Sequence, residues 1–332
     1  IAKIIWIREK FLIQTTAIAH PNFALVKYWG KKDIDQNMPA MSSISLTVDS
    51  MQSKTKIYKN LSSKQHRLFI NGQEQQDLSK IVPPLKYLSK ISKSNDFLVI
   101  KSENNFPTSS GLASSASGIA SFVTAYEAHY NIDLKMSDRV NACMLGSGSA
   151  PRSLLGGFVL MDKNDSYRCS QILKKSDWPL DILICIASTK PKKISSREGM
   201  EISRKTSPIY NDWLDINQKH VNEALVAIRE KNMLKLENVT EKNCELMHQV
   251  MKTSSPPIAY KSDVTISCVA EIENLRAAGH ELFYTIDAGP QVKIICDPKS
   301  SKAIKETITE KTDVIEIVHA GIGGSPRVVN EN

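Results

Sequence analysis

The chain has 332 residues, 41% hydrophobic and 23% charged, and 43 Lys and Arg outnumber 35 Asp and Glu for a net charge of +8. That length gives one large or two medium domains with real cores, and the composition is that of an ordinary globular protein. It argues against a membrane span, since no apolar run approaches the roughly 18–20 residues needed, and against a disulfide frame, since the six cysteines are scattered with no CxxC pair.

In chain order, residues 1–13 are apolar but interrupted by Lys3, Arg8, Glu9 and Lys10, and are not expected to be a signal peptide. Apolar or alternating runs predict strands over 12–19, 44–48, 55–59, 67–70 and 97–100, and Asn71-Gly72 is a hairpin turn signal. Residues 107–118, PTSSGLASSASG, then form a run of small residues between a strand and a helix. Ala116, Ile119, Ala120 and Val123 recur at helical spacing. A loop with few side chains, backed by a helix N-terminus, lets backbone N–H groups reach an anion. The plainer reading is a flexible linker, but linkers rarely sit tightly between a strand and an amphipathic helix. The run matches neither GxxxxGK[ST] nor GxGxxG.

Helices are predicted over 115–129 and 137–145, strands over 156–161 and 181–187, long helices over 210–231, 233–251 and 264–278, and strands over 281–286, 291–296 and 314–318. This order predicts an α+β chain in two lobes, 1–190 and 191–332, the change falling near 188–195. The first lobe is mixed; the second is helices plus an antiparallel sheet.

Four other segments carry chemistry. Residues 22–31, NFALVKYWGK, hold Lys27 and Lys31, which could grip phosphate or simply end a strand in solvent. Residues 146–153, GSGSAPRS, offer backbone and hydroxyl donors and an Arg fork that matches a carboxylate, or merely end a helix with a surface Arg. Ser195-Ser196-Arg197, after Lys192-Lys193, repeats the hydroxyl-plus-Arg theme or caps a helix. Asp287 ends an apolar strand on the turn Ala288-Gly289-Pro290, where an Asp is often only an Asx-turn residue. Gly321-Ile322-Gly323-Gly324 is a further loop where backbone could approach a ligand. The seven histidines lack metal-ligand spacing, and the cations form no stripe interleaved with aromatics, so nucleic-acid binding is not expected.

Together these segments resemble the GHMP kinase superfamily and, within it, the mevalonate diphosphate decarboxylases, from about Thr16 to Arg327. The Lys-Tyr-Trp-Gly-Lys and Gly-Ser-Gly-Ser-x-x-Arg elements separate the decarboxylases from the superfamily's simple kinases. His20-Pro21, Met41 and Ser109-Ser110 depart from the usual pattern. The resemblance implies a two-lobed GHMP-kinase-like fold, with an S5-like first lobe and the active site in the cleft between lobes. It implies ATP-dependent decarboxylation of 5-diphosphomevalonate, with ATP and Mg²⁺, by a cytoplasmic homodimer without membrane or nucleic-acid partners. By the same resemblance Asp287 orients or deprotonates the C3 hydroxyl, Lys27 stabilises the transferring phosphoryl group, and Arg152 holds the substrate carboxylate. Tyr28, Lys31, Arg67, Ser147, Ser149, Ser196 and Arg197 grip the rest of the substrate. Pro107, Gly111, Leu112, Ala113, Ser114 and Ser115 cradle the ATP phosphates, Ser114 also touching the metal, and Ser102 and Asn104 serve the nucleotide end. The alternatives are a small-molecule kinase, a phosphomevalonate decarboxylase, and a non-catalytic basic RNA-binding or regulatory module on the same scaffold.

Overall fold

The computed structural model describes residues 13–34, 36–107 and 111–330. The stretch before Ile13, the start of the strand expected at 12–19, and Thr108, Ser109 and Ser110 of the small-residue run lie outside the described residues.

The first part of the chain is strand-rich: β1 (Thr15–Ala19), β2 (Asn22–Val26), β3 (Lys31–Asp33), β4 (Met38–Pro39), β5 (Ser43–Thr47), β6 (Ser53–Lys59), β7 (Arg67–Ile70) and β8 (Gln73–Gln75). Asn71 and Gly72, at φ 49° and 80°, make the tight turn between β7 and β8, as this dipeptide favours. Helix α1 (Val82–Ser92) starts on a proline pair, and β9 (Leu98–Asn104) follows. Next come α2 (Ser114–His129), α3 (Met136–Gly146), a 3₁₀ turn (Ala150–Leu154), β10 (Phe158–Asp162), β11 (Arg168–Leu173) and β12 (Asp181–Ile186). The remainder is α4 (Ser196–Thr206), α5 (Tyr210–Arg229), α6 (Met233–Lys252), α7 (Asp263–Ala277), β13 (Leu282–Ile286), β14 (Val292–Cys296), α8 (Ser301–Lys311), β15 (Glu316–Gly321) and β16 (Arg327–Val329).

Three main sheets result, in the orders β16-β1-β6-β9-β7-β8, β11-β10-β5-β2 and β13-β14-β12-β15. The expected lobe boundary near 190 is corrected. Strand β12 pairs with β14 and β15 and lies inside the C-terminal sheet, so the change falls in the loop after β11. The chain also returns: β16 pairs with β1 at the edge of the first sheet.

Helix α2 lies close on that sheet because small residues face it. Its Ser117 and Ser121 hydroxyls meet those of Ser53 and Thr55 at 2.6 Å each, so these buried polar groups are satisfied. A second core joins Phe23, Leu25, Ile44 and Leu46 to Ile182, Ile184, Val221 and Phe283, which sets the lobes against each other on apolar surface. All six cysteines are free and buried. Among the described residues no helix is long and apolar enough to cross a membrane.

Candidate active site

A cleft of about 450 Å³ opens where the end of β2, the head of α2, the Gly-Ser turn after α3, the start of α4 and the Asp287 turn converge. Its floor is built by register. Thr285 and Lys293 are cross-strand partners on β13 and β14, and Asp287 lies two residues beyond Thr285. Period-2 alternation therefore aims all three at one face. Asp287 Oδ1 accepts from Lys27 Nζ at 2.8 Å, and its Oδ2 lies 3.2 Å from Lys293 Nζ. Lys27 also donates to the Ala24 carbonyl (3.0 Å) and to Thr285 Oγ1 (2.5 Å). Its three N–H donors are thus all occupied by protein, and its side chain is 1% exposed. Burial alone would raise the Asp287 carboxyl, but the ammonium groups of Lys27 and Lys293 outweigh it and hold the carboxyl well below the usual range. The Lys27 backbone is itself anchored, its N–H donating to Asn243 Oδ1 at 2.7 Å.

Arg152 lies on the 3₁₀ turn, 2% exposed. Its Nε donates to Asn22 Oδ1 (3.2 Å) and Ser45 Oγ (3.1 Å), and its Nη1 donates to Ser43 Oγ. Asn22 in turn donates to the Ser149 carbonyl (3.1 Å) and to Ser153 Oγ (2.7 Å). Arg152 is therefore not the surface residue that the plainer reading of this turn allowed.

The wall formed by the small-residue run begins, among the described residues, at Gly111, with φ +87°. A Cβ there would lie 2.8 Å from the Gly289 Cα, so only glycine lets this loop touch the Asp287 hairpin. Ala113 is left-handed (φ 55°), and Ser114 and Ser115 open α2. Ser115, Ser147 and Ser149 hydroxyls form a chain at 3.3 and 3.2 Å. This is a helix N-terminus fringed with donors, suited to an anion.

At the opposite rim, Ser195 caps α4 by accepting from the Glu198 N–H at 3.2 Å, which leaves Ser196 and Arg197 facing the cleft. Gly199 packs on Trp29: a Cβ there would lie 3.0 Å from its ring. Lys192 donates to Ser196 Oγ (2.6 Å) and the Ala288 carbonyl (3.0 Å). Burial and the neighbouring Lys80 pull its ammonium down to about 8, against the pull of Asp287. Lys31 is likewise brought to about 8, by burial and then by Arg197. The Tyr28 hydroxyl and Lys31 Nζ are buried, with no hydrogen-bond partner among the described residues. Burial pushes the Tyr28 hydroxyl far up, and Gly148 makes room for it. Met41 packs with Trp29 and Trp213 in the apolar support of this rim.

The structure brings together Lys27, Tyr28, Lys31, Ser147, Ser149, Arg152, Ser196, Arg197, Asp287 and residues 111–115. It does not bring Arg67. The side chain of Arg67 is held by Glu74 across the hairpin at 2.7 and 3.0 Å, beside a second groove of about 360 Å³ lined also by Tyr58, Phe69, Lys101 and Ser102. The expectation that Arg67 grips the substrate with the other cleft residues is therefore corrected. Ser102 accepts from Thr55 Oγ1 at 3.1 Å, Asn104 accepts from Ser53 Oγ, and Pro107 is exposed where β9 runs toward the loop. Lys293, Thr285, Ser43, Ser45 and Lys80 were missed by sequence reasoning. Only Lys293 left a signal, a cation inside the apolar strand Val292–Cys296.

Among the described residues no group of three or more His, Cys, Asp or Glu could hold a metal ion. Both Asp287 oxygens face ammonium groups, so the donors present fit a Mg²⁺ carried mainly by nucleotide phosphates rather than by protein carboxylates.

Residues 19–171 match the diphosphomevalonate decarboxylase-like N-terminal domain, and residues 182–329 match the mevalonate 5-diphosphate decarboxylase C-terminal domain. A diphosphomevalonate decarboxylase of Ganoderma lucidum is 34% identical over 90% of this chain and 82% of its own length; one of Bos taurus is 32% identical over 86% and 77%. The solved mevalonate diphosphate decarboxylase of Staphylococcus aureus superposes with a TM-score of 0.89 at 30% identity, covering 97% of this chain and 99% of that one. A structure described as MDDEF in complex with MVAPP, AMPPCP and magnesium superposes at 0.88 and 30% identity, covering 96% and 100%. With the clamped Asp287, the buried Arg152 and the donor-fringed loop set in one cleft, the chain belongs to the diphosphomevalonate decarboxylase family.

Proposed function

We propose that this cleft converts 5-diphosphomevalonate and ATP into isopentenyl diphosphate, ADP, phosphate and CO₂, a step of the mevalonate route to isoprenoids. The observation that carries it is a carboxylate clamped by two buried ammonium groups, in the same cleft as a buried guanidinium and a helix N-terminus fringed with hydroxyl donors.

A tertiary hydroxyl is a poor leaving group until it is phosphorylated. Asp287 accepts the hydrogen bond of the C3 hydroxyl and aims its oxygen at the γ-phosphoryl group. Held ionised by Lys27 and Lys293, it is a weak base that mainly orients the hydroxyl and takes its proton only as the new P–O bond forms. That suffices for a loose phosphoryl-transfer transition state, which asks mainly for positioning and charge stabilisation. Lys27, with every donor engaged, acts through Asp287 rather than on the phosphoryl group directly. The Ser114 hydroxyl would help hold a Mg²⁺ carried by the ATP phosphates, and that ion would supply charge neutralisation there.

When the C3–O bond breaks, phosphate leaves with the electron pair. The bond to the carboxylate carbon then supplies electrons for the new double bond, and CO₂ departs. A guanidinium has five N–H donors. Those of Arg152 on Nε and one on Nη1 are engaged by Asn22, Ser43 and Ser45, and the rest hold the substrate carboxylate in line. Lys31, Tyr28, Lys192, Ser196 and Arg197 take the diphosphate, which supplies partners to the Tyr28 hydroxyl and the Lys31 ammonium that have none among the described residues. Residues 111–115 cradle the ATP phosphates, while the groove with Tyr58, Phe69 and Ser102 takes the base end. The six free, buried cysteines support a reducing cytosol; a homodimer rests on the resemblance alone, and light scattering checks it.

The test is product analysis with 5-diphosphomevalonate, 5-phosphomevalonate and mevalonate. ADP and CO₂ should appear one-to-one with the diphosphate and weakly or not at all with the others. ADP without CO₂ would make the chain a simple kinase, and preference for the monophosphate would make it a phosphomevalonate decarboxylase.

A further inference from the structure

Lys293 sits beneath the cleft floor with its side chain 0% exposed. Its ammonium lies 3.2 Å from Asp287 Oδ2, donates to the Gly111 carbonyl at 3.0 Å, and rests 5.1 Å from the centroid of the Phe23 ring. Its strand is otherwise Val292, Ile294, Ile295 and Cys296, all buried. An apolar side chain there would avoid the cost of burying a charge, which is tolerable only when the charge is paired and hydrogen-bonded. The partners of this ammonium are telling. One belongs to the Asp287 hairpin and the other to the loop heading α2, two segments that also touch where Gly111 meets Gly289.

We propose that Lys293 is a positioning residue: its single ammonium ties the Asp287 carboxylate to the phosphate-binding loop and so keeps the C3 hydroxyl in register with the phosphoryl group it attacks. This rests on the reading of Asp287 as the orienting carboxylate. Lys27 alone cannot perform the tie, because its donors end on Ala24, Thr285 and Asp287. The other groups facing Asp287 are Arg152 from the 3₁₀ turn, Lys192 from the segment before α4, and His248 from α6, with the Cys244 thiol bonded to the Ile286 backbone behind it. Of the two ammonium groups on the carboxylate oxygens, only Lys293 reaches the loop's described residues.

The test is Lys293→Met, which keeps length and removes charge, assayed for kcat and both KM values between about pH 5 and 9, with melting temperature followed alongside. The tie predicts a kcat lower by about 10²-fold with the KM for 5-diphosphomevalonate within about twofold. It also predicts a kcat that declines toward acid more steeply than in the wild type, because Asp287 has lost one of its two cations. Lys293→Arg, which keeps the charge, should restore the wild-type acid side. A packing role alone would lower the melting temperature and leave the shape of the profile unchanged. A folded Met variant with wild-type kcat, or with reduced kcat and an unmoved profile, overturns the proposal. If the Met variant does not fold, Lys293→Gln carries the same readout and is judged by the same outcomes. Asp287→Asn is measured beside them. Near-normal turnover in that variant defeats the reading of Asp287, whereas an inactive Asp287→Asn with an unmoved Lys293 profile defeats only the role of Lys293.

Discussion

The floor and the rim of the cleft use the same residue types in opposite ways. On the floor, Lys27, Lys293, Asp287 and Arg152 have protein partners within about 3 Å and little solvent. At the rim, Lys31 Nζ and the Tyr28 hydroxyl are buried without partners among the described residues, and Lys31 and Lys192 are pulled down to about 8. Paired charges are already organised and need not reorganise during reaction. Unpaired buried polar groups carry a desolvation cost that an arriving polyanion relieves. The floor should therefore set kcat and the rim should set KM.

The largest expected effect is at the floor's centre. Asp287→Asn keeps shape but loses the charge, and should lower kcat by about 10²–10⁴-fold. Titration with a fluorescent nucleotide should find ATP affinity nearly unchanged. Arg152→Lys comes next: an ammonium cannot replace the planar fork, and a shift of about 1 Å at the reacting centre costs about 10²-fold in kcat. Unsatisfied Asn22 and Ser45 oxygens should also cost about 1–3 kcal/mol of stability, read by urea unfolding. An unchanged kcat would break the distinction at a buried, hydrogen-bonded residue of the floor.

The rim should respond in KM. Lys31→Met should raise the KM for 5-diphosphomevalonate about tenfold, equivalent to about 1.4 kcal/mol, with kcat within about twofold. The pH sign follows from the depressed ammonium groups. Lys31 and Lys192 are cationic below about 8 and neutral above it, so KM should climb as pH passes 8 while kcat stays level. The smallest effect belongs to Arg67, which lies outside the cleft. Arg67→Met should leave the KM for 5-diphosphomevalonate within about twofold; a tenfold rise would return Arg67 to the substrate site.

The rim was legible in the sequence and the floor only partly. Lys31 opens β3, Ser147 follows α3, and Ser196 and Arg197 open α4, all at element ends whose local composition declares donors, and Ser195 announces the start of α4. The hairpin at Asn71-Gly72 and the helix behind the small-residue run were legible for the same reason, since their signals are local. Lys293 meets Asp287 only because β13 and β14 pair in one register, and Ser43 and Ser45 meet Arg152 across more than a hundred residues of chain. Arg67 shows the reverse case. Its strand was read correctly, but no local pattern says that β7 lies parallel to β9, beside a different groove. Strand β12 was also recognised, yet its membership of the second sheet is a matter of partners rather than composition. Helix α1 was not predicted, although its proline pair suits a helix's first turn.

The most direct measurement is calorimetric binding of 5-diphosphomevalonate to the wild type, Asp287→Asn and Lys31→Met, without nucleotide and at a single pH below 8. Binding to Asp287→Asn should stay within about threefold of wild type, because floor charges serve geometry, while Lys31→Met should bind about tenfold more weakly. Weak binding to Asp287→Asn together with wild-type binding to Lys31→Met would contradict the division of the cleft into a floor that sets rate and a rim that sets affinity.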